Sequence, residues 1–185
     1  MRVSRRGWLR AAGAGGLWLV LSGHSPYRQW EVYRKTRLVL LTSAADPQSV
    51  QLGSALAKMY LQHLPESRAT MARARNGNDL VRLLASRQLD IAVMREPDAH
   101  AALAGQAPYA DSGGVRLRAL AALGEHLFVC REEVPNGSAY MLIEALAAGW
   151  GDIDPTLVHK AASPRPGAKL AIPLHPGAAE YYRDH

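Results

Sequence analysis

The stretch that most constrains this chain is Thr36-Arg37-Leu38-Val39-Leu40-Leu41-Thr42-Ser43, followed two residues later by Asp46-Pro47-Gln48-Ser49. Its apolar run is short, rich in branched side chains, and does not alternate with polar residues. Such a run suits a strand buried on both faces, as strands are in parallel sheets. Asp46 then supplies a helix N-cap, and Pro47 fits the first helical position, where its missing N–H is no loss. The helix that follows carries Leu52, Leu56, Met59, Tyr60 and His63 on one face, at spacings of three and four, and Pro65 stops it. On that face His63 reads as a packed core histidine. A doubly buried strand needs structure on both sides, so a layered α/β fold is expected.

The alternation continues along the chain. RATMARAR (68–75) suits a second strand, and Asn76-Gly77-Asn78 is a turn in which Asn78 can cap a helix holding Leu80, Leu83 and Leu84. LDIAVMRE (89–96) is a third strand ended by Pro97, and Ala99 to Gly105 a short alanine-rich helix. VRLRALAAL (115–123) and HLFVC (126–130) give two more strands, and SAYMLIEALAAG (138–149) an amphipathic helix closed by glycine. Residues 150 to 170, with Pro155, Pro164, Pro166 and Gly167, form a looser stretch before a short final helix that His175 caps. Strand and helix alternating through the first half predict a mostly parallel sheet flanked by helices in three layers.

The stretch ahead of the first strand differs in kind. Ser4-Arg5-Arg6-Gly7-Trp8-Leu9-Arg10 resembles the twin-arginine export signal, and the apolar run behind it, residues 11 to 21, falls short of the ~18 residues that span a bilayer. Residues 1–23 are therefore expected to be an export address. Val20-Leu21-Ser22 is a mediocre cleavage site, and an uncut segment would act as a weak N-terminal anchor to the inner membrane. Residues 24–35, polar and aromatic, read as a linker, and 36–185 as one lobe. Export of this kind places the protein in the periplasm. The route carries folded proteins, which implies an early-acquired cofactor or a folded partner; no cofactor motif is present, so no cofactor is expected. The chain carries a formal charge of +6, but four of its 22 basic residues (Arg2, Arg5, Arg6 and Arg10) and none of its 16 acids lie in the export segment, which leaves +2 beyond it. A nucleic-acid partner is not expected from that balance.

Catalytic chemistry finds little support. The 7 histidines are scattered, with no pair at metal-ligand spacing on a helix. Cys130, beside Phe128 and Val129, reads as a buried strand residue rather than a nucleophile. Gly137-Ser138 lacks the flanking pattern of a nucleophile elbow, and Asp152 and Asp154 imitate a calcium loop without the later ligands. The reading is of a non-enzyme with no metal.

Three segments taken in order carry a family resemblance: LVLLTSAADPQSVQLGSALAKMY (38–60), NGNDLVRLLASRQLDIAVMREPDA (76–99) and LHPGAAEYYRD (174–184). Together they resemble the TAXI family of extracytoplasmic solute receptors, the binding subunits of tripartite TRAP transporters. The resemblance implies a type II periplasmic-binding-protein fold, and the chain's length implies that only one of its two lobes is present. It also implies a small carboxylate as ligand and TRAP-type membrane transporter subunits as partners. In the family the first loop is rich in glycine and carries a tyrosine, whereas here it reads Ser43-Ala44-Ala45-Asp46-Pro47-Gln48, with an acid that would repel a carboxylate.

In an open α/β sheet, ligands sit outside the carboxyl ends of the strands, near helix N-termini. This places the weak candidate site at Thr42, Ser43 and Gln48, at Asn76, Gly77 and Asn78, and at Met94 and Arg95. Arg95 suits a carboxylate because its planar fork pairs with both oxygens; alternatively it is a surface arginine paired with Glu96 or Asp98. One lobe offers one wall, so a dimer or a partner would have to close it. The alternative function is an exported accessory or structural subunit of a periplasmic, membrane-bound or respiratory enzyme complex, without a solute of its own.

Overall fold

In a computed structural model, which describes residues 37–159, 161–166 and 170–185, the first strand, β1, is Val39–Ser43. The expectations for residues 1–23 and 24–35 lie outside the described residues. Leu40 and Leu41 are both fully buried and belong to the two opposite core clusters, as a strand without alternation requires. Helix α1 (Pro47–His63) starts where Asp46 Oδ1 accepts the Ser49 N–H at 3.3 Å. Strand β2 (Thr70–Ala74) and helix α2 (Gly77–Ala85) follow. Asn76 rather than Asn78 caps α2: its extended backbone lets Oδ1 take the Asp79 N–H at 2.9 Å, whereas Asn78 lies inside the first turn. Strand β3 (Ile91–Arg95) passes directly into α3 (Glu96–Ala104), with Pro97 tolerated in the first turn. Strands β4 (Leu117–Leu123) and β5 (His126–Arg131) precede α4 (Asn136–Ala148) and α5 (Pro176–Asp184).

The five strands form one sheet in the order β2-β1-β3-β5-β4. β1 is parallel to both β2 and β3, while β5 is antiparallel to both β3 and β4. The sheet is thus mixed rather than mostly parallel, and the cause is local. Only Gly124 and Glu125 separate β4 from β5, and a two-residue connection can return the chain only antiparallel. Gly124 takes φ +72, a conformation that glycine adopts without strain.

The layers are as expected. Helices α1, α4 and α5 cover one face, where Leu52, Ile143 and Tyr182 meet Leu40, Val93 and Phe128; α2 and α3 cover the other, where Leu80 and Ala99 meet Leu41, Ala92 and Leu127. The Tyr60 hydroxyl donates to the Leu142 carbonyl at 2.9 Å and so fastens α1 to α4. Cys130 is fully buried, and burial pushes its thiol well up. His63 corrects the expectation of a core residue. It is the last residue of α1, where the helix runs out of the core, and its Nε2 lies 2.6 Å from Asp152 Oδ2 with the ring 30% exposed. That bond engages Asp152, while Asp154 accepts both the backbone N–H and the hydroxyl of Thr156.

The segment just before α5 covers the outer edge of β4: Ala119 N–H donates to the Pro173 carbonyl and His175 N–H to the Ala119 carbonyl, both at 2.8 Å. The His-Pro-Gly-Ala segment is then explained by packing. A Cβ on Gly177 would stand 2.1 Å from the Asn136 carbonyl oxygen, so only glycine lets α5 meet the start of α4. His175 is fully buried; its Nδ1 accepts the Gly177 N–H at 3.1 Å, and its Nε2–H donates to the Val134 carbonyl at 3.0 Å. The cap requires the neutral ring, and burial lowers the pKa below its ordinary value. The unfolded chain binds that proton more readily, so this contribution to stability is complete above about pH 6.5 and is lost as pH falls through the folded pKa. Urea midpoints between about pH 7.5 and 4.5 are expected to fall further for the wild type than for His175→Asn, whose amide oxygen caps without titrating. Equal slopes would contradict the assignment.

Candidate functional site

The chain leaves β1 for β2 on one side and reaches β3 on the other, so a crevice opens between the carboxyl ends of β1 and β3. There Ser43, Ala45, Asp46, Gly77, Met94, Arg95, Asp98 and Tyr109 line a cavity of about 100 Å³. Ser43 ends β1, Arg95 ends β3, and Gly77 opens α2. Of the residues singled out in the sequence, the structure gathers Ser43, Gly77, Met94 and Arg95 here.

It sends the others elsewhere. The Thr42 hydroxyl donates to the Ala72 carbonyl at 3.1 Å, and its methyl lies where a side chain on Gly53 of α1 would stand, so Thr42 is a packing residue. Gln48 turns to the 157–159 loop, its amide 3.2 Å from His159 Nε2. Asn76 spends its side chain capping α2, and Asn78 lines a separate groove with Asp79, Arg82 and Asp111.

Arg95 Nε donates to Asp98 Oδ2 at 3.0 Å, with the arginine side chain 59% exposed at the crevice mouth. Hydrogen bonding to Asp98 raises its pKa, so the guanidinium stays charged. Burial first and the nearby Asp98 carboxylate second push the Tyr109 phenol up to about 12, so that it keeps its proton. Tyr109 fits because position 77 is glycine: a Cβ there would stand 2.6 Å from the phenol oxygen. Asp98 is legible in the sequence as the i+3 partner of Arg95. Tyr109 carries no such signal, since it arrives from an irregular turn.

The acid of the first loop is turned to internal partners. Asp46 Oδ1 accepts from Ser49, and Oδ2 lies 2.8 Å from Nε2 of His126 at the start of β5. His126 is 1% exposed, and its Nδ1 has no hydrogen-bond partner among the described residues. An ionised carboxylate accepts only, so Nε2 carries the proton. Asp46 also acts on Arg95 through space, which leaves the guanidinium facing two carboxylates.

Among the described residues no group of three or more His, Cys, Asp or Glu is placed to hold a metal ion, and no helix is long and apolar enough to cross a membrane. No protein-family model and no curated protein matches the chain. The TAXI resemblance therefore rests on the three segments that carry it.

Asp46→Ala removes a helix cap, at a cost of about 1 kcal/mol, and strands a buried imidazole N–H, at a further cost of about 1–3 kcal/mol. Asp46→Asn keeps one oxygen, for the Ser49 N–H, and turns an NH2 toward His126, so it is expected to retain the cap and to be milder than Asp46→Ala by about 1 kcal/mol. Chemical denaturation distinguishes the two, and equal losses would contradict the double role.

Proposed function

We propose that this chain is a non-enzymatic, exported solute-binding protein of the TAXI receptor type, a single lobe of the type II periplasmic-binding-protein fold that presents a small carboxylate to TRAP-type membrane transporter subunits. One observation carries the reading: Ser43, Gly77 and Arg95, from three separate stretches of sequence, meet at the one crevice where an open α/β sheet offers strand ends and a helix N-terminus together. Arg95 is the anchor. A guanidinium has five N–H donors, and the Asp98 contact uses one of them.

The same geometry sets the strength of binding. Drug-sized ligands occupy cavities of roughly 300–1,000 Å³ and are 70–90% buried. A 100 Å³ crevice admits only a carboxylate head and leaves the rest of a solute in water, so an affinity of about millimolar is expected from the isolated chain. Titration calorimetry with a panel of small mono- and dicarboxylates tests this. The expected result is weak, salt-sensitive binding that falls at least about tenfold in Arg95→Ala and is partly kept in Arg95→Lys. Binding unchanged by Arg95→Ala, or no binding by any carboxylate, would overturn the reading.

A second reading is favoured by the pairing of Arg95 with Asp98 and by the small cavity. In it the fold is kept as an accessory subunit of a periplasmic or membrane-bound enzyme complex and the crevice holds no solute. Gentle purification from solubilised membranes separates the two readings: transporter subunits as companions support the receptor, and a fixed ratio with an enzyme complex supports the subunit.

A further inference from the structure

Helices α4 and α5 carry an aromatic and acidic patch made of residues outside the crevice lining. Tyr140 and Tyr181 meet edge to face with ring centres 5.4 Å apart, and Tyr181 stacks on His185 at 4.4 Å. Met141, the next residue on α4, is 48% exposed and is one of two large apolar side chains among the described residues that stand out into solvent. Tyrosine and methionine are the residue types that interfaces concentrate.

The charges round this patch are mostly negative. Glu144 from α4, and Glu180 and Asp184 from α5, all act on the Tyr140 phenol, and no cation is among the groups that do. Asp184 has only its neighbour Arg183, at 3.8 Å, whereas Glu144 and Glu180 form no ion pair among the described residues. An ordinary solvated helix face mixes the two signs, as where Arg75 and Arg82 pair with Asp79. Three carboxylates beside half-buried aromatic rings and the exposed Met141 select against an anionic lipid surface and against a second copy of the same patch.

We propose that the α4–α5 face is a docking surface for a lysine- and arginine-rich segment of a partner protein. Tyr140, Tyr181 and Met141 take the aliphatic stems of the segment, and the carboxylates of Glu144, Glu180 and Asp184 pair with its cationic heads. The surface does not depend on the solute reading, because its residues are separate from those of the crevice. It gives the receptor a place to meet its transporter, or the accessory subunit a place to meet its complex.

Fluorescence anisotropy tests it with a labelled dodecapeptide of repeating Lys-Leu-Arg and a matched Glu-Leu-Glu peptide. The cationic peptide is expected to bind and the acidic one not to. Binding is expected to weaken about tenfold in Glu144→Gln/Glu180→Gln, and strongly between about 0.05 and 0.5 M salt. That double variant changes solvent-facing charge alone and keeps the packing, whereas Tyr181→Ala, expected to weaken binding similarly, alters a packed ring. Equal binding of both peptides, binding unaffected by Glu144→Gln/Glu180→Gln, or stronger adsorption to anionic phosphatidylglycerol vesicles than to the cationic peptide would each overturn the proposal.

Discussion

The Asp46–His126 contact joins parts of the sheet that arrive by different routes. Asp46 sits at the corner between β1 and α1, and one of its oxygens starts that helix. The other reaches His126, the first residue of β5, which pairs in the antiparallel ladder with Arg95, the last residue of β3. A single carboxylate thus ties the parallel half of the sheet to its antiparallel half at the end where the crevice opens. A buried imidazole needs an acceptor, and an ionised one in a low-dielectric setting binds it more strongly than a neutral group would. The acid that looks wrong for a carboxylate site in the sequence is, in the fold, a structural element of the crevice wall.

The parts of the fold legible in the sequence are those that local pattern determines. The run at 38–43 reads as a doubly buried strand because both Leu40 and Leu41 have to be covered, and Asp46-Pro47 marks a helix start because capping is a matter of adjacent residues. Sheet order is different. Alternation of strand and helix says nothing about where β5 inserts, and the only local sign of its reversal is the two-residue Gly124-Glu125 connection. The His63 error has a similar cause: helical spacing places it on the apolar face, but a face continues to be buried only while the helix still lies over the sheet.

The crevice was half legible for the same reason. Ser43, Gly77 and Arg95 follow from the rule that strand ends and helix starts converge, whereas Thr42, Gln48, Asn76 and Asn78 are near in sequence and face other ways. Tyr109 and His126 enter from remote stretches without periodicity. Pairing across 80 residues, as between Asp46 and His126, leaves no trace in spacing. What results is a wall whose two acids are already engaged: Asp98 pairs with Arg95, and Asp46 with His126. On the proposed reading a ligand competes with those bonds and gains little burial in return, so its affinity depends on what closes over the wall. The proposed binding wall and the proposed partner face are made of separate residues, as a protein that works in company would need.

The most direct test of the central claim is a titration of the ¹⁵N-labelled chain with succinate, followed by amide shifts. The account predicts that at about 20 mM ligand, well above a millimolar Kd, shifts gather at Ser43, Asp46, Gly77 and Arg95 and disappear in Arg95→Ala. Shifts scattered over the surface, or none at those four amides, would contradict it.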